Sequence, residues 1–143
     1  MATLYLSLGT NLGDRRSNLE TAISLIGRRI GTVQAQSSVI ETEPWGFQSP
    51  NSFLNMAVKV ETELEPEDVL KTAQEIESEM GRTVKTGNDG YHDRIIDIDI
   101  LLYDDIVMNT PELTIPHPLM YQRQFVMQPL AEIYGRQLSG EAL

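Results

Sequence analysis

Two aspartates one residue apart, Asp97 and Asp99, stand in the run Arg94-Ile95-Ile96-Asp97-Ile98-Asp99-Ile100-Leu101. If this run is a strand, alternation turns both carboxylates to one side, with Cα atoms roughly 6.5–7 Å apart, while the isoleucines anchor the other side. Hard oxygen donors on a rigid strand suit Mg²⁺. Two such ions about 3.5–4 Å apart would bridge phosphate oxygens and serve both the attacking and the leaving group. A bare Asp-x-Asp also occurs as an ordinary acidic surface or as a loop cap. Two exposed carboxylates side by side at the centre of a sheet, where this strand is expected, repel each other and bring little β-propensity, so a bound cation accounts for them better.

Arg82, Lys85, Arg94 and Arg123 could supply the positive charge that a phosphate substrate needs, and arginine suits bidentate phosphate contact. Taken singly, each is an ordinary solvated charge. Arg82 and Lys85 gain weight from standing in a glycine-containing stretch just before the aspartate run, where lids over phosphates are found. Gly9-Thr10-Asn11-Leu12-Gly13-Asp14 is neither a Walker A loop nor a dinucleotide fingerprint, and reads as a tight structural turn. His117 lies between Pro116 and Pro118, which restrict the backbone, and a lone His is ordinarily a satisfied surface or core residue. Trp45, Phe53 and Phe125 could all be core. Phe53 and Asn55 share one face of an alternating segment, however, and ring faces beside an amide suit a flat heterocycle with an amide-like edge.

The elements that must position these groups follow from periodicity. Leu4, Leu6 and Leu8 alternate in a first strand over residues 3–8. Leu19, Ala22, Ile23, Ile26 and Ile30 recur at helical spacing over 14–30, with Asp14 or Ser17 as cap and Gly31 as stop. Residues 32–43 are rich in β-branched side chains and predict one long second strand. Turn formers fill 44–52, a third strand alternates over 53–62, and Pro66 opens a helix whose stripe is Val69, Leu70, Ala73, Ile76 and Met80. A long loop is expected over 82–93, and then a fourth strand over 94–103. That strand is expected to place Ile96, Ile98, Ile100 and Leu102 on one face and Asp97, Asp99, Leu101 and Tyr103 on the other. The order β-α-β-β-α-β with a tail is the α+β, ferredoxin-like split arrangement. It predicts an antiparallel sheet with helices on one face and the site on the other, in a single domain over 1–143.

Composition bounds the partners. The chain has 143 residues, with 11 Lys plus Arg against 21 Asp plus Glu and a net charge of −10. That acidity argues against nonspecific binding to nucleic acid or to anionic membranes. Most of it sits in residues 61–79, where Glu61, Glu63, Glu65, Glu67, Asp68, Glu75, Glu77 and Glu79 face Lys71 alone. Exposed charges further apart than about 8 Å are largely screened at physiological salt, so the total says little about any one cleft. The absence of cysteine excludes disulfides and thiolate metal sites and fits a reducing compartment. No signal peptide or membrane span is read, so a cytoplasmic protein is expected.

Taken in order, several blocks make the chain resemble the 6-hydroxymethyl-7,8-dihydropterin pyrophosphokinases of folate biosynthesis. They are Gly9-Thr10-Asn11-Leu12-Gly13, Glu41-Thr42-Glu43-Pro44-Trp45-Gly46, Phe53-Leu54-Asn55, Gly81-Arg82, Asp93 to Leu101, and Ile115-Pro116-His117-Pro118 with Arg123 and Phe125. The resemblance implies an enzyme that moves pyrophosphate from ATP to the pterin hydroxymethyl and releases AMP, using two Mg²⁺ ions on Asp97 and Asp99. It implies that Thr42, the backbone around Pro44 and Trp45, and Asn55 read the pterin edge, while Phe53 and Phe125 sandwich its rings. It matches Gln74, Glu77, Ile100, Thr114 and His117 to ATP contacts, and Arg82, Arg94 and Arg123 to basic residues around the phosphates, with Arg82 and Arg94 as the catalytic pair. A monomer is expected. The chain departs from the pattern at Val84, where a second arginine is frequent and for which Lys85 could substitute with poorer geometry for a phosphate fork, and also at Tyr91, Pro118 and Phe53; no role is read for Tyr91 or His92, and none beyond that charge for Lys85. A non-catalytic ferredoxin-like module that binds nucleotide or metal is the alternative, and a two-metal phosphodiesterase is a third reading.

Overall fold

The structure, a computed structural model, describes residues 1–43, 52–81 and 95–142, with side chains described as far as Tyr134. The expected turn segment 44–51 and the expected loop 82–94 lie outside the described residues, and with them Pro44, Trp45, Arg82, Lys85, Tyr91, His92 and Arg94.

The alternating leucines form β1 (Ala2–Thr10). It is followed by α1 (Arg15–Arg29), whose cap is Asp14: its carboxylate accepts the Ser17 amide at 3.1 Å, as a helix start requires. The turn between them is held by Asn18, whose Nδ2 donates to Thr10 Oγ1 at 3.1 Å and to the Leu12 carbonyl at 2.8 Å, and Gly13 takes a φ of 70°. A positive φ of that kind favours glycine. The structural reading of this turn therefore holds from Asn11 on, while Gly9 and Thr10 belong to β1.

Residues 32–43 do not make one strand. They divide into β2 (Gly31–Gln36) and β3 (Ile40–Thr42), both antiparallel to β4 (Phe53–Thr62). Gln36 pairs with Val58 and Ile40 with Asn55, so the chain takes four steps against three on β4 and one residue is extra. The break is made by a hydroxyl. Ser37 Oγ accepts the Ala57 amide at 2.8 Å and donates to the Ser38 carbonyl at 2.8 Å, replacing backbone partners of the ladder.

The remaining elements are α2 (Pro66–Gly81), β5 (Asp97–Tyr103), the short pair β6 (Met108–Asn109) and β7 (Thr114–Ile115), one 3-10 turn at Met120–Gln122 and α3 (Gln124–Ala142). The main sheet runs β2-β4-β1-β5, with β3 beside β4 and every pairing antiparallel. This is the α+β, ferredoxin-like arrangement. Within it β5 is an edge strand, so the two aspartates are not at the sheet centre. The alternation expected in β5 also fails after Ile100: Leu6 pairs with Ile100 but Tyr5 with Leu102, which leaves Leu101 as a bulged residue. Tyr103 therefore turns to the core face in place of Leu102, and its hydroxyl donates to the Leu64 carbonyl at 2.6 Å.

Two cores result. Between the sheet and α1 and α2 lie Leu4, Leu6, Leu8, Met56, Val58, Val60, Ile98 and Ile100, packed on Leu19, Ala22, Ile26, Val69, Ala73 and Ile76. The opposite face is not left wholly to ligand. Part of it is covered by α3, the segment expected to be a tail, through Tyr5, Ala57, Leu101, Met120, Val126, Leu130 and Ile133.

Candidate active site

Strand register assembles the site. Across the sheet, Asn55, Gly9 and Asp97 stand in one row, and Ala57, Ser7 and Asp99 in a row two residues on. Neighbouring strands are about 4.8 Å apart, so Asn55 and Asp97 flank the Gly9 backbone at two strand spacings. Nothing projects from Gly9 between them. A Cβ there would stand 3.1 Å from Asn55 Oδ1 and 3.5 Å from a Phe53 ring carbon. Sequence reasoning placed Gly9 in a structural turn and missed this role, although a glycine that interrupts an alternating strand is a sign of close approach.

Asn55 is buried, and its amide is oriented: Nδ2 donates to Thr42 Oγ1 at 2.7 Å, and Oδ1 faces the space over Gly9. The pair expected to read a flat heterocycle is thus assembled, with half-buried Phe53 beside it. Asp97 and Asp99 are half-exposed on the same face. Between them the Ile98 amide, on the free edge of β5, donates to Glu77 Oε2 at 2.7 Å. Glu77 therefore braces the aspartate strand from α2. Gln74 is exposed on that helix, and Ile100 buries its side chain in the α1–α2 core, so only the backbone of Ile100 is at hand for a ligand.

His117 follows a cis Ile115–Pro116 peptide. Its amide donates to the Leu101 carbonyl at 3.1 Å, and its Nδ1 accepts the Leu119 amide at 3.3 Å, which leaves Nε2 as the protonated nitrogen of the neutral ring. Burial lowers the His117 pKa below 6.5, the Arg123 guanidinium lowers it further, and the Asp97 carboxylate pulls the other way. The three side chains thus share one electrostatic neighbourhood, brought together from separate elements. Arg123 is itself buried, with its guanidinium carbon 5.7 Å from the centre of the Phe125 ring, within cation–π range. Phe125 is half-buried against the α3 core, and Thr114 is half-buried in β7.

The donor set fits a magnesium site. Among the described residues no cluster of three or more His, Cys, Asp or Glu is present, and what they offer here is two carboxylates rather than a full cage. Mg²⁺ keeps several waters and is commonly held by one or two carboxylates with substrate phosphates.

A model of the 7,8-dihydro-6-hydroxymethylpterin-pyrophosphokinase (HPPK) family matches residues 5–135. The chain belongs to this family. A 2-amino-4-hydroxy-6-hydroxymethyldihydropteridine pyrophosphokinase of Porphyromonas gingivalis is 51% identical over 134 residues, covering 93% of this chain and 91% of the relative. The Bacillus subtilis pyrophosphokinase of the same description is 43% identical over 130 residues, covering 90% of this chain and 76% of its own. Among solved structures, the HPPK-DHPS protein of Plasmodium falciparum with SDX-DHP superposes with a TM-score of 0.71 at 18% identity over 93% of this chain. This chain spans 40% of that protein, and the likeness at such identity is one of fold. Among the described residues no helix is long and apolar enough to cross a membrane.

Proposed function

We propose that the row Asn55, Gly9, Asp97 is the floor on which the family's reaction takes place. The chain is an ATP-dependent pyrophosphokinase of folate biosynthesis: it transfers the pyrophosphoryl group of ATP to the hydroxymethyl of 6-hydroxymethyl-7,8-dihydropterin. The observation that carries the assignment of parts is the register. A flat heterocycle laid over Gly9, with its amide-like edge at Asn55 Oδ1, points its far end across β1 toward Asp97 and Asp99.

In this reading Thr42 fixes the Asn55 amide so that Oδ1 accepts from the pterin, Phe53 and Phe125 cover its faces, and the backbone near Pro44 and Trp45 completes the edge. Asp97 and Asp99 would hold two Mg²⁺ ions, which when bound supply charge neutralisation and a template for the phosphates. The pterin oxygen attacks the β-phosphorus, the bond from that phosphorus to the α-phosphate bridging oxygen breaks, AMP departs and the hydroxyl proton is released to solvent. The protein's work is positioning and electrostatics. Arg123 keeps a fixed cation beside the phosphates, and neutral His117 presents Nε2–H as a donor. Arg82 and Arg94 complete the phosphate charge, with Gln74, Glu77, Thr114 and the backbone of Ile100 on the nucleotide side. The reading includes one domain over 1–143, a monomer and a cytoplasmic location. The first is supported by the family match over 5–135, and the monomer is checked by light scattering.

The test is stoichiometry. With ATP, Mg²⁺ and the hydroxymethyl pterin, AMP and pterin pyrophosphate should appear in equal amounts, and chelation should stop turnover. ADP as the product, or folded protein without turnover, would contradict the proposal, the latter returning the non-catalytic binding module.

A further inference from the structure

Arg15 is the first residue of α1, where the helix dipole disfavours a cation; Arg16 follows it, and the first turn holds no acidic residue. An arginine placed there against the field is explained by its partners. Its Nη1 donates to Glu41 Oε2 at 3.1 Å, to the Ser52 carbonyl at 3.0 Å and to Ser52 Oγ at 3.2 Å. The Ser52 hydroxyl in turn donates to the same Glu41 oxygen at 2.5 Å, closing a triangle. These bonds, that of Ser52 first, hold the Glu41 carboxyl below the usual carboxylate range.

The triangle joins two strand ends that matter. Glu41 precedes Thr42, and Ser52 precedes Phe53, its register partner. Alternation places Glu41, opposite Leu54, on the α1 side of the sheet, while Thr42 bonds Asn55 on the site side. Arg15 thus grips β3 and β4 from behind the site. β3 has only three residues, too few ladder bonds to fix its own tilt. Its preceding segment is tied independently, where Glu132 of α3 accepts the Ser38 amide at 2.8 Å and the Ser38 hydroxyl at 2.6 Å.

We infer that Arg15 is a positioning residue for pterin recognition: by holding Glu41 and Ser52 together it sets the spacing of Thr42 and Asn55, and so the aim of the Asn55 carbonyl over Gly9. This rests on the pterin reading of that site. The experiment measures both Michaelis constants for Arg15→Met, Arg15→Lys and, as reference, Asn55→Ala. Arg15→Met should raise the pterin KM about tenfold, the order expected for losing a charge-assisted hydrogen-bond network, with kcat and the ATP KM within about twofold of wild type. Arg15→Lys should recover part of the loss, and Glu41→Gln should raise the pterin KM less when added to Arg15→Met than when made alone, because the two side chains share one network. An unchanged pterin KM in Arg15→Met, where Asn55→Ala raises it, overturns the inference. So does a parallel rise in both Michaelis constants, the mark of general loosening. If Asn55→Ala itself leaves the pterin KM unchanged, the reading of the site falls and the role of Arg15 with it.

Discussion

Under α1 and α2, the inward residues along the middle of β1, β4 and β5 are apolar: Leu4, Leu6 and Leu8, then Met56, Val58 and Val60, then Ile98 and Ile100, with Thr10 and Thr62 buried at the strand ends. On the other face the same strands change character along their length. Tyr5, Ala57 and Leu101 lie dry beneath α3, and beyond them come Gly9, Asn55, Asp97 and Asp99. The contrast separates two demands on one sheet. A largely apolar face supplies the burial that folds the chain. With stability secured there, the other face can carry two adjacent carboxylates and a side-chain-free gap, which would weaken any ordinary sheet.

The sharpest way to break this comparison is to substitute each face in turn. On the polar face, Asp97→Ala or Asp99→Ala should lower kcat by about 10³-fold or more, since charge stabilisation of the transferred group is the main catalytic term. The thermal midpoint should stay close to wild type; unfolding instead would make the pair structural. On the apolar face, fully buried Leu6→Ala should cost about 2–5 kcal/mol of unfolding free energy in denaturant titrations, with turnover per folded molecule nearly unchanged. Loss of catalysis in a well-folded Leu6 variant would show that the faces are not separable.

A finer cut lies within the polar face. Gly9→Ala introduces a methyl 3.1 Å from Asn55 Oδ1 and should raise the pterin KM about tenfold while sparing the ATP KM, because displacing a packed neighbour costs about 1–3 kcal/mol. Equal effects on both substrates would move the pterin off Gly9. The smallest effect concerns His117, whose pKa is lowered by burial and by Arg123 against the pull of Asp97. The unfolded chain takes up its proton near 6.5 and the folded chain only at lower pH. Its contribution therefore makes stability fall as pH drops below that value, and it is without effect above it. The His117 ring resonances should titrate below 6.5; titration at or above it would mean that burial does not control this ring.

Much of the frame was legible because the chain alternates cleanly. β1, α1, β4 and α2 lie where their periods put them, and Asp97 and Asp99 share a face as the Asp-x-Asp spacing requires. The failures have identifiable causes. The division of β2 from β3 depends on Ser37 capturing the Ala57 amide, a bond across the sheet that β-branched composition cannot signal. The swap of Leu102 and Tyr103 follows from a bulge opposite Tyr5. α3 carries a readable stripe of Val126, Leu130 and Ile133, but Pro129 stands inside it, and a proline that removes an amide donor argues against a helix until packing outweighs it.

In the candidate site, residue types were readable and adjacency was not. Asn55, Phe53, Asp97, Asp99, His117 and Arg123 could each be singled out by chemistry or by resemblance. Gly9 stood in a motif, but the side-chain-free gap it leaves opposite Asn55 was not readable there, and nothing in the sequence marked the reach of Arg15 to Glu41 and Ser52. By itself the amino-acid sequence determined the local periods, hence which residues share a face of one strand or helix, and the family, because motifs are written in consecutive residues. Only the tertiary structure decided which strands lie side by side and in what register. Gly9 came to stand between Asn55 and Asp97 because partners on β4 and β5, remote in sequence, are selected by joint burial of the apolar face, a quantity that no single segment possesses.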